Sequence, residues 1–180
     1  AKMADTQTPQ GILTVLEQPV YDLTQLLEQP DPLFLMLENL QDPGNLGTMI
    51  RTGEGAGITG VIMNNQTVDI FNPKTIRATM GSIFRVPFVY VPDLALVLEQ
   101  MHAKGIYTYA AHLKGQEYYD SFSFREPTAF LIGNGLSKEI SDQAGQYLKI
   151  PMEGRVESLN ASIAAALLMY EAHRQRSARL

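Results

Sequence analysis

The feature that most constrains the fold of this chain is a rhythm. After residue 30, short apolar runs alternate with longer segments whose apolar residues recur at helical spacing. The runs read as strands at Leu33 to Glu38, Gly60 to Met63, Phe88 to Val91, Ile106 to Ala111, Thr128 to Ile132 and Tyr147 to Ile150. Helices fall between them at about 45 to 57, 73 to 84, 93 to 104 and 138 to 145, with a final long one from about 158 to 177. Such alternation predicts an α/β fold, a mostly parallel sheet with helices on both faces. Ligands of such sheets bind at the carboxyl ends of the strands, so the loops there are where function is sought.

The last helix is the best defined, with Leu159, Ile163, Ala166, Leu167 and Tyr170 at helical spacing. His173, Arg174, Arg176 and Arg179 crowd its C-terminal end, where cations complement the helix dipole. Its alanine-rich middle, Ala161 to Ala166, suits close approach of another helix, either within the chain or from a second copy. Residues 1–30 differ. Gln10 to Glu17 reads as an isolated strand, followed by Pro19 and a short segment ending at Pro30-Asp31-Pro32. This division predicts a tail at 1–30 and one domain at 31–180.

Composition excludes several classes. There is no cysteine, so no disulfide, thiolate metal site or cysteine nucleophile is available. His102, His112 and His173 lack ligand-like spacing, and neither a G-x-S-x-G elbow nor a G-x-x-x-x-G-K-[ST] loop occurs. No metal is expected, nor a membrane span, and the polar N-terminus points to the cytoplasm. The net charge of −5 disfavours non-specific nucleic-acid binding, so RNA would require a localised basic site or help from another module.

Three segments could carry chemistry. The first, Asn39-Leu-Gln-Asp-Pro-Gly-Asn-Leu-Gly-Thr-Met-Ile-Arg-Thr52, follows a strand and enters a helix. Its free N–H groups suit an anion, and Arg51 has a planar fork suited to phosphate. Considered alone, Asn45 is better explained as a cap and Arg51 as a surface charge. The second, Phe130-Leu-Ile-Gly-Asn-Gly-Leu-Ser-Lys-Glu-Ile-Ser141, is a buried strand entering a glycine turn and a helix begun by Ser137. The third, Ile150 to Ser162, places Ser158 and Asn160 at a helix N-terminus, where they cap it or orient a substrate oxygen.

Other stretches carry less. Gly55-Ala-Gly-Ile-Thr-Gly60 spells G-x-G-x-x-G but closes a helix and opens a strand, the reverse of the dinucleotide fingerprint, and reads as a helix stop with close packing. Lys74, Arg77 and Arg85 form a candidate phosphate site or a solvated face. Asn160-Ala161-Ser162 matches the glycosylation pattern and, without a secretion signal, has almost no weight.

In this order the three segments resemble the three motifs of the SpoU/TrmH methyltransferases of the SPOUT superfamily, over about Leu33 to Arg176. Asp42-Pro-Gly-Asn-Leu-Gly-Thr-Met-Ile-Arg51 is similar to the first motif. Leu131-Ile-Gly-Asn134 with Gly135-Leu-Ser137 is similar to the second, and Ile150-Pro-Met152 with Ser158-Leu-Asn160 to the third. The resemblance implies a C-terminal trefoil knot and an S-adenosylmethionine-dependent methyltransferase acting on a ribose 2′-hydroxyl of rRNA or tRNA, rRNA the more expected. Gly133, Ile150, Met152 and Leu159 would hold the cofactor, and the strand end at Tyr109 to Ala111 would lie nearby. Arg51, Asn45, Ser158 and Asn160 would form the catalytic group of a homodimer, Arg51 reaching the other subunit's cofactor.

Two departures stand out. Gly133-Asn134 runs straight into Gly135-Leu136-Ser137, where the family carries Gly-Asn-Glu-Gly-x-Gly-Leu-Ser. Many relatives also have an N-terminal RNA-binding domain, of which Ile12 to Leu16 would be the last piece. The alternatives are a catalytically silent RNA- or cofactor-binding module of the same fold, and a flavodoxin-like nucleotide-binding domain.

Overall fold

In a computed structural model of the chain, residues 14–177 are described apart from 114, 134, 156 and 157. Seven strands form one parallel sheet: β1 (Leu33–Glu38), β2 (Gly60–Asn64), β3 (Phe88–Val91), β4 (Tyr107–Ala111), β5 (Glu117–Tyr118), β6 (Thr128–Gly133) and β7 (Gln146–Lys149). Their order is β3-β2-β1-β6-β4-β7-β5, so direction along the sheet switches between β1 and β6. These two strands end level, Glu38 paired with Gly133.

The six residues of β1 are all buried, as a strand covered on both faces requires. Alternate side chains go to opposite layers. Leu33, Leu35 and Leu37 join Leu46, Met49 and Ile50 of α2 (Pro43–Ala56) and Ala165, Leu168 and Met169 of α6 (Ala161–Ser177). Phe34 and Met36 face Leu26 and Leu27 of α1 (Leu23–Leu27), Leu94, Val97 and Leu98 of α4 (Leu94–Ala103) and Ile140 of α5 (Lys138–Gln143). The remaining helix, α3 (Pro73–Thr79), lies against α2.

The strands and helices predicted after residue 30 are all present, with shifted ends. α2 begins at Pro43 because Asp42, not Asn45, is its cap: the Asp42 carboxylate accepts from the Asn45 N–H at 2.7 Å. The helix stops at Gly57, whose left-handed backbone (φ 74°) suits a residue without Cβ. α3 ends at Thr79, short of the predicted 84, because Met80 turns left-handed (φ 50°) and Ser82–Phe84 form a separate 3-10 turn. α1 and β5 were not foreseen. Residues 14–17 of the expected N-terminal strand belong to no regular element, and its residues 10–13 lie outside the described residues.

Arg176 does more than complement a dipole. Its guanidinium donates to the carbonyls of Phe124, Glu126, Asp31 and Pro32 at 2.7–3.2 Å. Beside it, the Gln175 amide accepts from Phe124 N–H and donates to Phe122 carbonyl. Together they fasten the end of α6 to the loops that enter β1 and β6.

Candidate active site at the carboxyl ends of the strands

Two side chains from distant parts of the sequence meet above the switch point. Because Asp42 caps α2, the Asn45 side chain is released from that task, and its Oδ1 accepts from Asn160 Nδ2 at 3.0 Å. Asn160 in turn caps α6: its Oδ1 accepts from the Ser162 N–H at 2.8 Å and the Ser162 hydroxyl at 2.7 Å. With Oδ1 committed to two donors, the amide of Asn160 has one orientation, and its nitrogen faces Asn45. Ser162, buried at the start of α6, is a member that sequence reasoning missed. Its signal was the Asn-x-Ser spacing of 160–162, which also describes an Asx-type cap.

Beside this pair lies a cavity of about 410 Å³. Gly133, Ile150, Met152, Leu159 and Ser158 all line it. Ala111 does too, which puts the end of β4 at the cavity, whereas Tyr109 packs away from it among Phe122, Phe124 and Phe130. Further walls not singled out from the sequence are His112, Gly135, Leu136, Leu148, Lys149 and Ala164. The walls are mostly apolar, with bare backbone at two glycines and no carboxylate among the lining residues. A neutral purine fits such apolar walls, and Lys149 stands among them as a charged residue. Asn134 lies outside the described residues.

The shortened second motif is held by a carboxylate from another strand. Glu38, buried at the tip of β1, accepts from the Ser137 N–H at 2.7 Å, and Ser137 caps α5 through the Ile140 N–H. The turn at 135–137 is thereby tied to the strand beneath it. On the other side of β1, Asn39 takes a left-handed backbone (φ 54°) and exchanges two hydrogen bonds with buried Asn64, the Asn39 N–H to Asn64 Oδ1 and Asn64 Nδ2 to Asn39 Oδ1. This pair sets the direction in which the chain leaves β1 toward Asp42.

Arg51 is exposed on α2 and is not among the cavity's lining residues. The other expected cations divide. Lys74 lies 3.7 Å from Asp42, and Arg85 makes a two-pronged pair with Glu54 through Nε and Nη2. The Arg85 hydrogen bonds, reinforced by Ser82, hold the Glu54 carboxyl at about 2, well below its ordinary range. Arg77 has no ion pair or hydrogen bond from its side chain among the described residues. A larger cleft of about 900 Å³ lies at the opposite ends of β4 and β7, walled by Tyr107, Tyr109 and Tyr147, and contains none of the motif residues.

Comparison with known proteins finds relatives over most of the chain. The model of the SpoU rRNA Methylase family matches residues 32–170. The chain is 34% identical over 171 residues to the 23S rRNA (guanosine(2553)-2′-O)-methyltransferase of Bacillus subtilis, covering 93% of this chain and 66% of that protein. To the 23S rRNA (uridine(2479)-2′-O)-methyltransferase of Streptomyces viridochromogenes it is 33% identical, covering 94% and 62%. Among solved structures, the SpoU methyltransferase AviRb of S. viridochromogenes in complex with AdoMet superimposes with a TM-score of 0.82 at 33% identity, over 89% of this chain and 66% of that one. The chain thus spans just under two thirds of the length of such relatives.

Proposed function

The chain belongs to the SpoU rRNA methylase family, and from that premise we propose that it transfers a methyl group from S-adenosylmethionine to a ribose 2′-hydroxyl of RNA, ribosomal in preference to transfer RNA. The observation that carries this reading is the meeting of the Asn45–Asn160 pair with a mostly apolar cavity lined by Gly133, Ile150, Met152 and Leu159. Bound there, S-adenosylmethionine supplies a methyl group on a sulfonium, already a good leaving centre.

The protein's tasks are then alignment and help with the hydroxyl proton. The cavity walls hold the nucleoside and keep water from it. Ser158, at the cavity wall, and Asn160 position the ribose hydroxyl, and Asn45 fixes the Asn160 amide. A guanidinium keeps its proton in proteins and is a poor base. Arg51 therefore clamps the adjacent phosphate and offsets the charge that grows on the 2′-oxygen as its proton leaves to water.

A homodimer is part of this reading. Arg51 stands outside its own cavity, and Ile163, Leu167 and Tyr170 form an exposed stripe along α6 at i, i+4 and i+7, the spacing of one helix face. A second copy covering that stripe would bring a foreign Arg51 to each cavity. The implied trefoil knot, a cytoplasmic location and the division into a tail at 1–30 and a domain at 31–180 belong to the same proposal. Support for the division is that the family model matches from residue 32 onward. Among the described residues no helix is long and apolar enough to cross a membrane, and no group of three or more His, Asp or Glu is placed to hold a metal.

The test is Arg51→Ala. Methyl transfer to RNA is expected to be abolished while calorimetric affinity for S-adenosylmethionine stays within about threefold, because Arg51 meets RNA rather than the bound nucleoside. Equal loss of both overturns the assignment. The shortened second motif favours a silent binding module as the second reading. Cofactor binding without turnover on rRNA or tRNA from cells lacking the protein would select it.

A further inference from the structure

Resting on the RNA reading above, we propose that the segment from α3 through the 3-10 turn, with Met80, Phe84 and Arg77 at its surface, is a grip for single-stranded RNA beside Arg51.

Helical spacing places this surface. Gly47, Arg51 and Glu54 stand at i, i+4 and i+7 of α2 and so share one face. The two flanking positions both meet the segment. At Gly47 the backbones touch, since a Cβ there would lie 2.5 Å from Ala78 Cβ and 2.7 Å from the Thr75 carbonyl oxygen. At Glu54 the carboxylate is gripped by Arg85 from just beyond the 3-10 turn. Arg51 lies between these fixed points, so the exposed groups of the segment border it.

The groups themselves are unusual for a solvated face. Of the seven phenylalanines, all among the described residues, Phe84 alone is exposed, at 57%. Met80 is 68% exposed, on a left-handed backbone that a side chain seldom adopts, and Ile76 lies one turn before it, also exposed. Lys74, Arg77 and Arg85 fall within the same twelve residues of a chain whose net charge is −5. Of these, Arg77 has no ion pair among the described residues, and the Lys74–Asp42 contact is solvent-exposed, where such pairs are weak.

An exposed ring and thioether interleaved with cations match a strand of RNA whose bases are unstacked. The bases find a flat apolar surface, and the phosphates find positive charge. The ring would hold a nucleotide next to the one whose phosphate Arg51 clamps. A partner of neutral or basic chemistry would gain nothing from the cations.

The experiment uses the full chain and fluorescein-labelled RNAs of about 16 nucleotides, one unpaired and one duplex. Phe84→Ala is expected to weaken the unpaired RNA about tenfold and the duplex by less, with Phe84→Tyr restoring it. Arg77→Ala should lower the slope of log affinity against log salt by about one. Affinity for S-adenosylmethionine and sedimentation should match wild type in each variant. Unchanged binding by Phe84→Ala overturns the grip while leaving the methyltransferase reading intact. A changed oligomeric state in Phe84→Ala also overturns it, by marking the patch as an interface between copies. A wild-type chain that binds neither RNA and transfers no methyl group overturns the RNA reading itself.

Discussion

Replacing Arg176 by Met tests how α6 is fastened to the sheet. Four charge-assisted hydrogen bonds, each worth about 1.5–3 kcal/mol, would sum to roughly 6–12 kcal/mol if they were independent. The partners say otherwise. Pro32 carbonyl keeps the Thr128 N–H at 2.9 Å, and Glu126 carbonyl keeps the Thr128 hydroxyl at 2.6 Å. Asp31 is exposed, so its carbonyl turns to water. Of the four acceptors, Phe124 carbonyl alone is left in a part-buried setting without its donor, at about 1–3 kcal/mol. Methionine retains most of the stem's packing. The expected loss is therefore about 2–3 kcal/mol by urea denaturation followed by circular dichroism, or a fall in Tm of about 4–12 °C for a chain of this size. A loss under about 1 kcal/mol would show that Arg176 is no clamp, and one above about 5 kcal/mol would show that the four bonds act independently; either refutes the reasoning.

Other outcomes follow from the same geometry. Gly47→Ala should destabilise by about 2 kcal/mol or more, read by thermal unfolding, because the new methyl meets a Cβ and a backbone oxygen that move only with α3. Tyr90 donates to Val68 carbonyl and accepts from Ile70 N–H, and burial raises its phenol to about 12. A folded-state pKa above the ordinary 10 means stability present below pH 10 and lost as pH rises toward 12, so Tyr90→Phe should flatten that alkaline fall. Asn160→Asp keeps the cap oxygen but removes the donor to Asn45. Methyl transfer should drop at least about tenfold while the unfolding midpoint moves little, and an unfolding shift as large as that of Gly47→Ala would recast Asn160 as structural.

The central strands β1, β2 and β6 were legible because they are buried on both faces and so appear as apolar runs, Leu33 to Leu37 being the clearest. α1, five residues held by the Asp22 cap, and β5, two residues on the sheet edge, are too short to leave a period. The end of α3 was misread because Met80, an ordinary helix former, takes a left-handed backbone there. In the site, the motif spacing indicated Asn45 and Asn160 separately, but not their hydrogen bond across 115 positions. Nor could it assign the α2 cap to Asp42, which is what frees Asn45 to make that bond. Glu38 gave no signal at all: its bond to Ser137 spans 99 positions, and in sequence it is only the polar end of a strand.

The bond between Asn45 and Asn160 has a consequence for the order of events at the ribosome. Every strand is complete by Lys149, yet one half of the amide pair arrives only with the last helix, whose far end is fastened by Gln175 and Arg176. A nascent chain can therefore lay down its whole sheet before the amide pair exists, the pair forming in one late step when α6 docks. Cleavage near residue 155 would leave every strand in place but remove Asn160 and the α6 side of the core, so the methyl transfer proposed above would serve as a stringent reporter that α6 is present and docked.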